Sequence, residues 1–339
     1  MVGKSSALHL PAAYARKMRE LSSYRWWKPL VAVLLALVFY LVFGMLVELA
    51  YYVILAAQSA ASGTEAVSVS QLIANAAAAG ASGNTSAYLS FDVTNPLALA
   101  HAFLSLAVAI PAIGLACKIM KIGGLRGLSS IEGGLRWKRI AVLLPWALLV
   151  AFGVIAIELG ISVLTGEDLG EFRFAPAAII VVLICCPLQC AAEEYMFRGF
   201  LMQTLGSWIP VVVIPVVLQA LLFTILHGYN LLGLISICLM GLIAGYLALK
   251  TGGLEAGICM HTANNVSATL LGICFASAQT TAEVSAVSLV IDIALNVGFL
   301  VVMYWVSKRK GYLLDDEPAE QAKPRSELSG RPDKAVKAS

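Results

Sequence analysis

Long apolar blocks, broken by short polar turns, run along most of this chain. A membrane-crossing helix needs about 20 mostly apolar residues. By that measure the pattern predicts eight spans, at roughly 29–55, 97–118, 139–164, 175–205, 209–227, 230–249, 254–275 and 286–307. The expected fold is therefore all-α, a polytopic transmembrane helical bundle of about eight spans. The first apolar run, Pro29 to Ala57, far exceeds the roughly 7–15 residues of a signal-peptide core, so it is predicted to be an uncleaved helix. The order along the chain is a basic N-terminal segment (1–28), spans one to three with a long loop at 58–96 (29–174), a four-span core (175–275), the eighth span (276–310) and a tail (311–339). Loop 58–96 is rich in Ala, Ser, Gly and Asn, with little to build a core from. The charged, Pro-containing tail has the composition of a disordered segment.

Composition agrees with this pattern. Hydrophobic residues make up 60% of the 339 and charged residues only 13%, about half the share of an ordinary soluble domain. Mean hydropathy is +0.85. The net charge of +3 says less than where the charges sit. Arg16, Lys17, Arg19, Arg25 and Lys28 precede the first span. Lys118, Lys121, Arg126, Arg136, Lys138 and Arg139 lie between the second and third. Lys308, Arg309 and Lys310 follow the eighth. With eight spans these clusters fall on one side, which the positive-inside rule makes cytoplasmic, together with both termini. The opposite loops hold little Lys or Arg beyond Arg173. No basic face suggests nucleic-acid binding. The seven cysteines lie in or beside apolar segments without C-x-x-C spacing and read as small buried hydrophobes. Asn84-Thr85-Ser86 matches a glycosylation sequon, a weak pattern that has no bearing on a bacterial protein.

Polar residues inside the spans carry the candidate chemistry, because ionisable groups are costly in a bilayer and are seldom there without a role. Glu193 and Glu194 are adjacent in the fourth span. Glu194 shares a helical face with Arg198, four residues on, and can pair with it. Glu193 points about 100° away. Two adjacent acids can thereby have different partners and different roles. Phe223 and His227 repeat the four-residue spacing in the fifth span, and His261 and Asn265 repeat it in the seventh. A hairpin turning near Ser207-Trp208-Ile209-Pro210 would bring Glu193 and His227 to similar depth and permit their contact. His261, only about ten residues past the Thr251-Gly252-Gly253 turn, requires helix tilt or unequal protrusion to join them.

Plainer readings exist for each element. A lone histidine can be a structural hydrogen-bonding group. The Glu194–Arg198 pair can simply neutralise itself, and Asn265 can bridge helices. Glu158, Asp292 and Asn296 read as structural or interfacial. The ordered combination is harder to explain that way. Glu193-Glu194-x-x-x-Arg198, Phe223-x-x-x-His227 and His261-x-x-x-Asn265 resemble the three motifs of the CAAX prenyl protease and bacteriocin-processing family of intramembrane proteases, also called the abortive-infection family. The resemblance covers roughly residues 175–275.

The resemblance implies an intramembrane endopeptidase without a covalent intermediate. Glu193 would be the general base that activates water, helped by His227. His261 and Asn265 would stabilise the oxyanion, with Glu194, Arg198 and Phe223 in support. No cofactor is favoured. A zinc-dependent version would use Glu193, His227 and His261, an allowed ligand set, although no H-E-x-x-H motif is present. Partners would be the lipid bilayer and a hydrophobic or membrane-associated peptide, of CAAX or bacteriocin-like type. The compact loops and low-complexity tail suit a bacterial cell membrane. Two other classes compete: a non-catalytic immunity or scaffold protein on the same fold, and an ion or metal transporter. Against the transporter, the polar residues cluster instead of forming a file across the bilayer.

Overall fold

Successive helices run back and forth between the same two ends of one bundle. The computed structural model describes residues 11–62, 70–71, 93–166, 169–275 and 283–314. Most of loop 58–96 and most of tail 311–339 lie outside these, as does the sequon at Asn84. A short N-terminal turn, α1 (Ala13–Arg16) with a 3-10 turn at Lys17–Glu20, precedes the first long helix, α2 (Lys28–Ala61). The second span is broken into α3 (Pro96–Ala107) and α4 (Ala109–Ile119). Pro111, three residues past the break at Val108, lacks the N–H that would bond back to Ala107. A short helix, α5 (Gly124–Ser129), leads to α6 (Trp137–Thr165). Then come α7 (Pro176–Glu194), a π-helical segment at Tyr195–Leu201, and α8 (Met202–Trp208), which together form one long rod. Four helices complete the bundle: α9 (Val213–Ile225), α10 (Leu231–Thr251), α11 (Glu255–Cys274) and α12 (Ala286–Arg309).

Local chemistry sets many of the boundaries. Pro96 and Pro176 sit in the first turn of their helices, where a missing N–H costs nothing. Asn95, Asn230 and Ser285 cap α3, α10 and α12 through side-chain oxygens that accept from the first free backbone N–H groups. Gly252, at φ +66°, ends α10 in the left-handed conformation, leaving only a tight turn before α11.

Among the described residues, six helical stretches are long and apolar enough to cross a membrane: Lys28–Ala61, Pro96–Ile119, Trp137–Thr165, Pro176–Trp208, Leu231–Thr251 and Ala286–Arg309. The other two predicted spans are also helices, but of a different kind. α9 is a shorter apolar helix. α11 is central, packed against α6, α7 and α10, and buries His261, Thr262 and Ser267 along with its apolar residues. Protein rather than lipid surrounds it, so it has no need to be uniformly apolar. α2 is the opposite case, exposing Leu34, Leu37, Leu41 and Met45 on a surface suited to lipid.

The predicted basic loops gather at one end. Ser23 donates to the Lys121 carbonyl, Arg16 to that of Pro210, and Arg139 to those of Thr251 and Tyr312. The N-terminus of α2 and the C-terminus of α12 therefore lie at the same end. The opposite end is tied by the Arg173 N–H donating to the Cys274 carbonyl and by a Phe172–Phe275 bridge.

Candidate active site

The site begins where α7 changes pitch. Immediately after Glu194 the backbone widens into the π-helical segment, a local distortion frequent at functional sites. The Arg198 guanidinium donates to Glu194 Oε1 at 2.8 Å, and both side chains are sealed, at 0% and 1% exposure. The guanidinium also lies over the Phe223 ring, 4.5 Å from its centroid. This cation–π contact replaces part of the hydration that Arg198 gives up. Phe223 also packs edge-on against Phe197, His227 and His261, with centroids 5.0, 4.7 and 6.0 Å away. One buried ring thus spaces both imidazoles.

His261 stands between the two glutamates. Its Nδ1 lies 3.0 Å from Glu194 Oε1, and a carboxylate can only accept, so Nδ1–H is the donor. Its Nε2 then points at Glu193 Oε2, 3.4 Å away. Glu193 Oε1 accepts from Gln189 Nε2 at 2.6 Å. Gln189 Oε1 in turn accepts from Asn265 Nδ2 at 3.3 Å, and Asn265 Oδ1 from Asn264 Nδ2 at 3.0 Å. The adjacent acids are therefore separated by environment. Glu194 is enclosed by Arg198 and His261, whereas Glu193 faces a cavity of about 510 Å³ that His227, His261 and Asn265 also line.

His227 sits two residues beyond the end of α9, its Nδ1 donating to the Phe223 carbonyl at 2.8 Å. Among the described residues no hydrogen bond or ion pair joins it to Glu193, whose partners are Gln189 and His261. Both still face the same cavity. The depth mismatch between the histidines is met by unequal protrusion. The start of α11 is itself level with Tyr195, since the Leu254 N–H donates to the Ser129 carbonyl and the Ser129 hydroxyl meets that of Tyr195, so His261 reaches Glu193 although it is only about 9 Å along its helix.

The structure adds residues that the motifs do not name. Gln189 connects Glu193 to Asn265, and its position four residues before Glu193 on the same helical face was the available signal. Gly257, four residues before His261, lets α11 press against α7, and a Cβ there would lie 2.6 Å from Glu194 Oε2. Glu158, Asp292 and Asn296, expected to be structural or interfacial, line the same cavity as Glu193. The sequence alone could not assign them, because the faces of α6 and α12 that turn inward are fixed only by packing.

The zinc reading needs three donors together. Glu193 and His261 approach each other, while His227 and His261 each pack against the Phe223 ring. Among the described residues no three His, Cys, Asp or Glu side chains gather into a metal-sized group. The site as arranged does not fit the proposed ligand set.

Residues 175–267 match the family described as type II CAAX prenyl endopeptidase Rce1-like. The matched stretch begins just before α7 and includes all three motifs. At the family level, this match and the apolar helices make the chain an integral, multi-pass membrane protein related to CAAX-type proteases. A curated relative, the uncharacterized protein YyaK of Bacillus subtilis (strain 168), is 26% identical over 167 residues, covering 47% of this chain and 56% of the relative. The alignment thus spans little more than half of the relative's length. No solved structure matches the chain. The matched core, 175–267, is flanked here by α2 to α6 on one side and α12 on the other.

Proposed function

We propose that this protein is an intramembrane endopeptidase in which Glu193 activates water against a peptide bond of a hydrophobic or membrane-associated substrate. The observation that carries the proposal is the division of labour between the glutamates. Glu194 is consumed by Arg198 and His261, while Glu193 retains a face toward the cavity. Glu193 takes a proton from water, and the hydroxide adds to the carbonyl carbon. The C–N bond then breaks, and the same proton passes to the leaving nitrogen, giving an acid and an amine.

His227, held through Nδ1 by its own helix, offers Nε2 to position the water. His261 and Asn265 face the oxygen on which charge develops. His261 is held for that role through Nδ1, which donates to Glu194, leaving its Nε2 edge on the side of Glu193 and the cavity. Phe223 and Arg198 hold the imidazoles and Glu194 in place without touching substrate. No metal step is part of this proposal. The basic loops are proposed to lie in the cytoplasm of a bacterial cell, with both described chain ends on that side.

The test uses purified protein and a fluorogenic hydrophobic peptide. Glu193→Gln and His227→Ala are expected to lower kcat at least ~100-fold, the usual size of a lost general base, with thermal stability unchanged. Equal cleavage by wild type and Glu193→Gln would leave a non-catalytic membrane protein as the better reading. Activity that falls in a chelator and returns with zinc would replace the glutamate mechanism by a metal-dependent one.

A further inference from the structure

The cavity and the basic loops lie toward opposite ends of the bundle. Besides Glu193 and His261, the cavity is lined by Tyr229, in the turn after α9, and by Glu283, Val284 and Ser288 around the start of α12. No described residue of the basic loops lines it. The end beneath the glutamates is tied together by buried and part-buried polar contacts. Tyr14 donates to the Leu128 carbonyl at 2.5 Å, the Ser129 and Tyr195 hydroxyls meet at 2.6 Å, and Lys17 reaches the Ser130 carbonyl at 2.6 Å. Arg136 grips Glu255 through Nε and Nη2 at 2.9 and 2.6 Å, locking the α5–α6 loop to the start of α11. Between this layer and Glu193 stands the sealed Arg198–Glu194 pair.

We infer that the catalytic cavity is entered from the membrane face opposite the basic loops, so that the scissile bond arrives from outside the cytoplasm. The substrate class is then an exported peptide, or the outward-facing end of a membrane-anchored one. A substrate held in the cytoplasmic leaflet would meet the end so tied. The sidedness itself depends on cavity and charge placement; only its consequence for substrate rests on the peptidase reading above.

Two measurements test it on the full chain in a bacterial expression host. The first uses a membrane-impermeant maleimide on Ser288→Cys in the cavity wall and Ser22→Cys at the basic end, with wild type as the background for the native thiols. Ser288→Cys is expected to label in spheroplasts and not in inverted vesicles, and Ser22→Cys the reverse. Labelling of Ser288→Cys from the Ser22 side, from both sides or from neither overturns the inference. The second adds an impermeant fluorogenic peptide to each preparation, with Glu193→Gln as the blank. Cleavage at least tenfold faster in spheroplasts supports the inference, and cleavage confined to inverted vesicles overturns it. If no peptide is cleaved in either preparation or in detergent, the peptidase reading fails, while the thiol labelling still decides the sidedness.

Discussion

Removing Arg198 should damage the fold far more than removing its partner with it. The guanidinium is fully buried, donates to Glu194 at 2.8 Å and lies 4.5 Å from the Phe223 ring centroid. Breaking one half of a buried ion pair typically costs about 3–5 kcal/mol, because the remaining charge is left uncompensated. Loss of a desolvated cation–π contact adds up to ~2 kcal/mol. The sum, roughly 3–7 kcal/mol, is a large share of the whole stability of many domains, about 5–15 kcal/mol. Arg198→Met alone should therefore unfold at markedly lower temperature in detergent or fail to accumulate. Glu194→Gln/Arg198→Met removes both charges and keeps similar volume, and the amide that replaces the Glu194 carboxylate can still meet His261. The double variant should recover at least ~2 kcal/mol of the loss, a coupling typical of residues in direct contact. Thermal unfolding of wild type, both single variants and the double variant measures that cycle. An Arg198→Met variant as stable as wild type, or a double variant no better than Arg198→Met, would refute the reasoning.

Gly257→Ala should lower activity more than stability. A Cβ 2.6 Å from Glu194 Oε2 must displace a carboxylate already tied to Arg198 and His261, and overpacking of about 1–3 kcal/mol opposes a helix-propensity gain of ~1 kcal/mol. The kcat, compared with the melting temperature, checks this. Gln189→Leu should leave the bundle folded but free Glu193 and Asn265 of their shared partner, lowering kcat with little change in KM. At the basic end, the hydrogen bond from Arg136 holds the Glu132 carboxyl below the usual range, so its stabilising effect is present above about pH 4.3 and fades as pH falls through the lower folded value. Because Glu132 is largely exposed, the effect should be small and screened by salt, and Glu132→Gln should flatten the acid limb of a stability–pH profile.

The helices and the candidate motifs were legible in the sequence because they depend on local chemistry. Hydrophobic length marks six stretches long enough to cross a bilayer, and four-residue spacing puts Glu194 with Arg198, Phe223 with His227 and His261 with Asn265. Asn and Ser caps, the proline starts and Gly252 mark helix ends by backbone rules that need no distant partner. Hydropathy also marked α11 as a span, but not that it would stand at the centre of the bundle, with its buried residues facing other helices rather than lipid. The same limit applies to the partners of Glu193. The helical hairpin allowed His227 as its neighbour, yet the approach of α11 over Gly257 brings His261 between both acids. Packing also turned Glu158, Asp292 and Asn296 toward the cavity and tied the basic end together through Tyr14, Ser129 and Arg136. Sequence by itself determined which residues are polar in an apolar chain and how each is phased on its own helix. Which of them meet, and from which side they are reached, was decided by contacts between helices far apart in sequence, which a one-dimensional pattern does not contain.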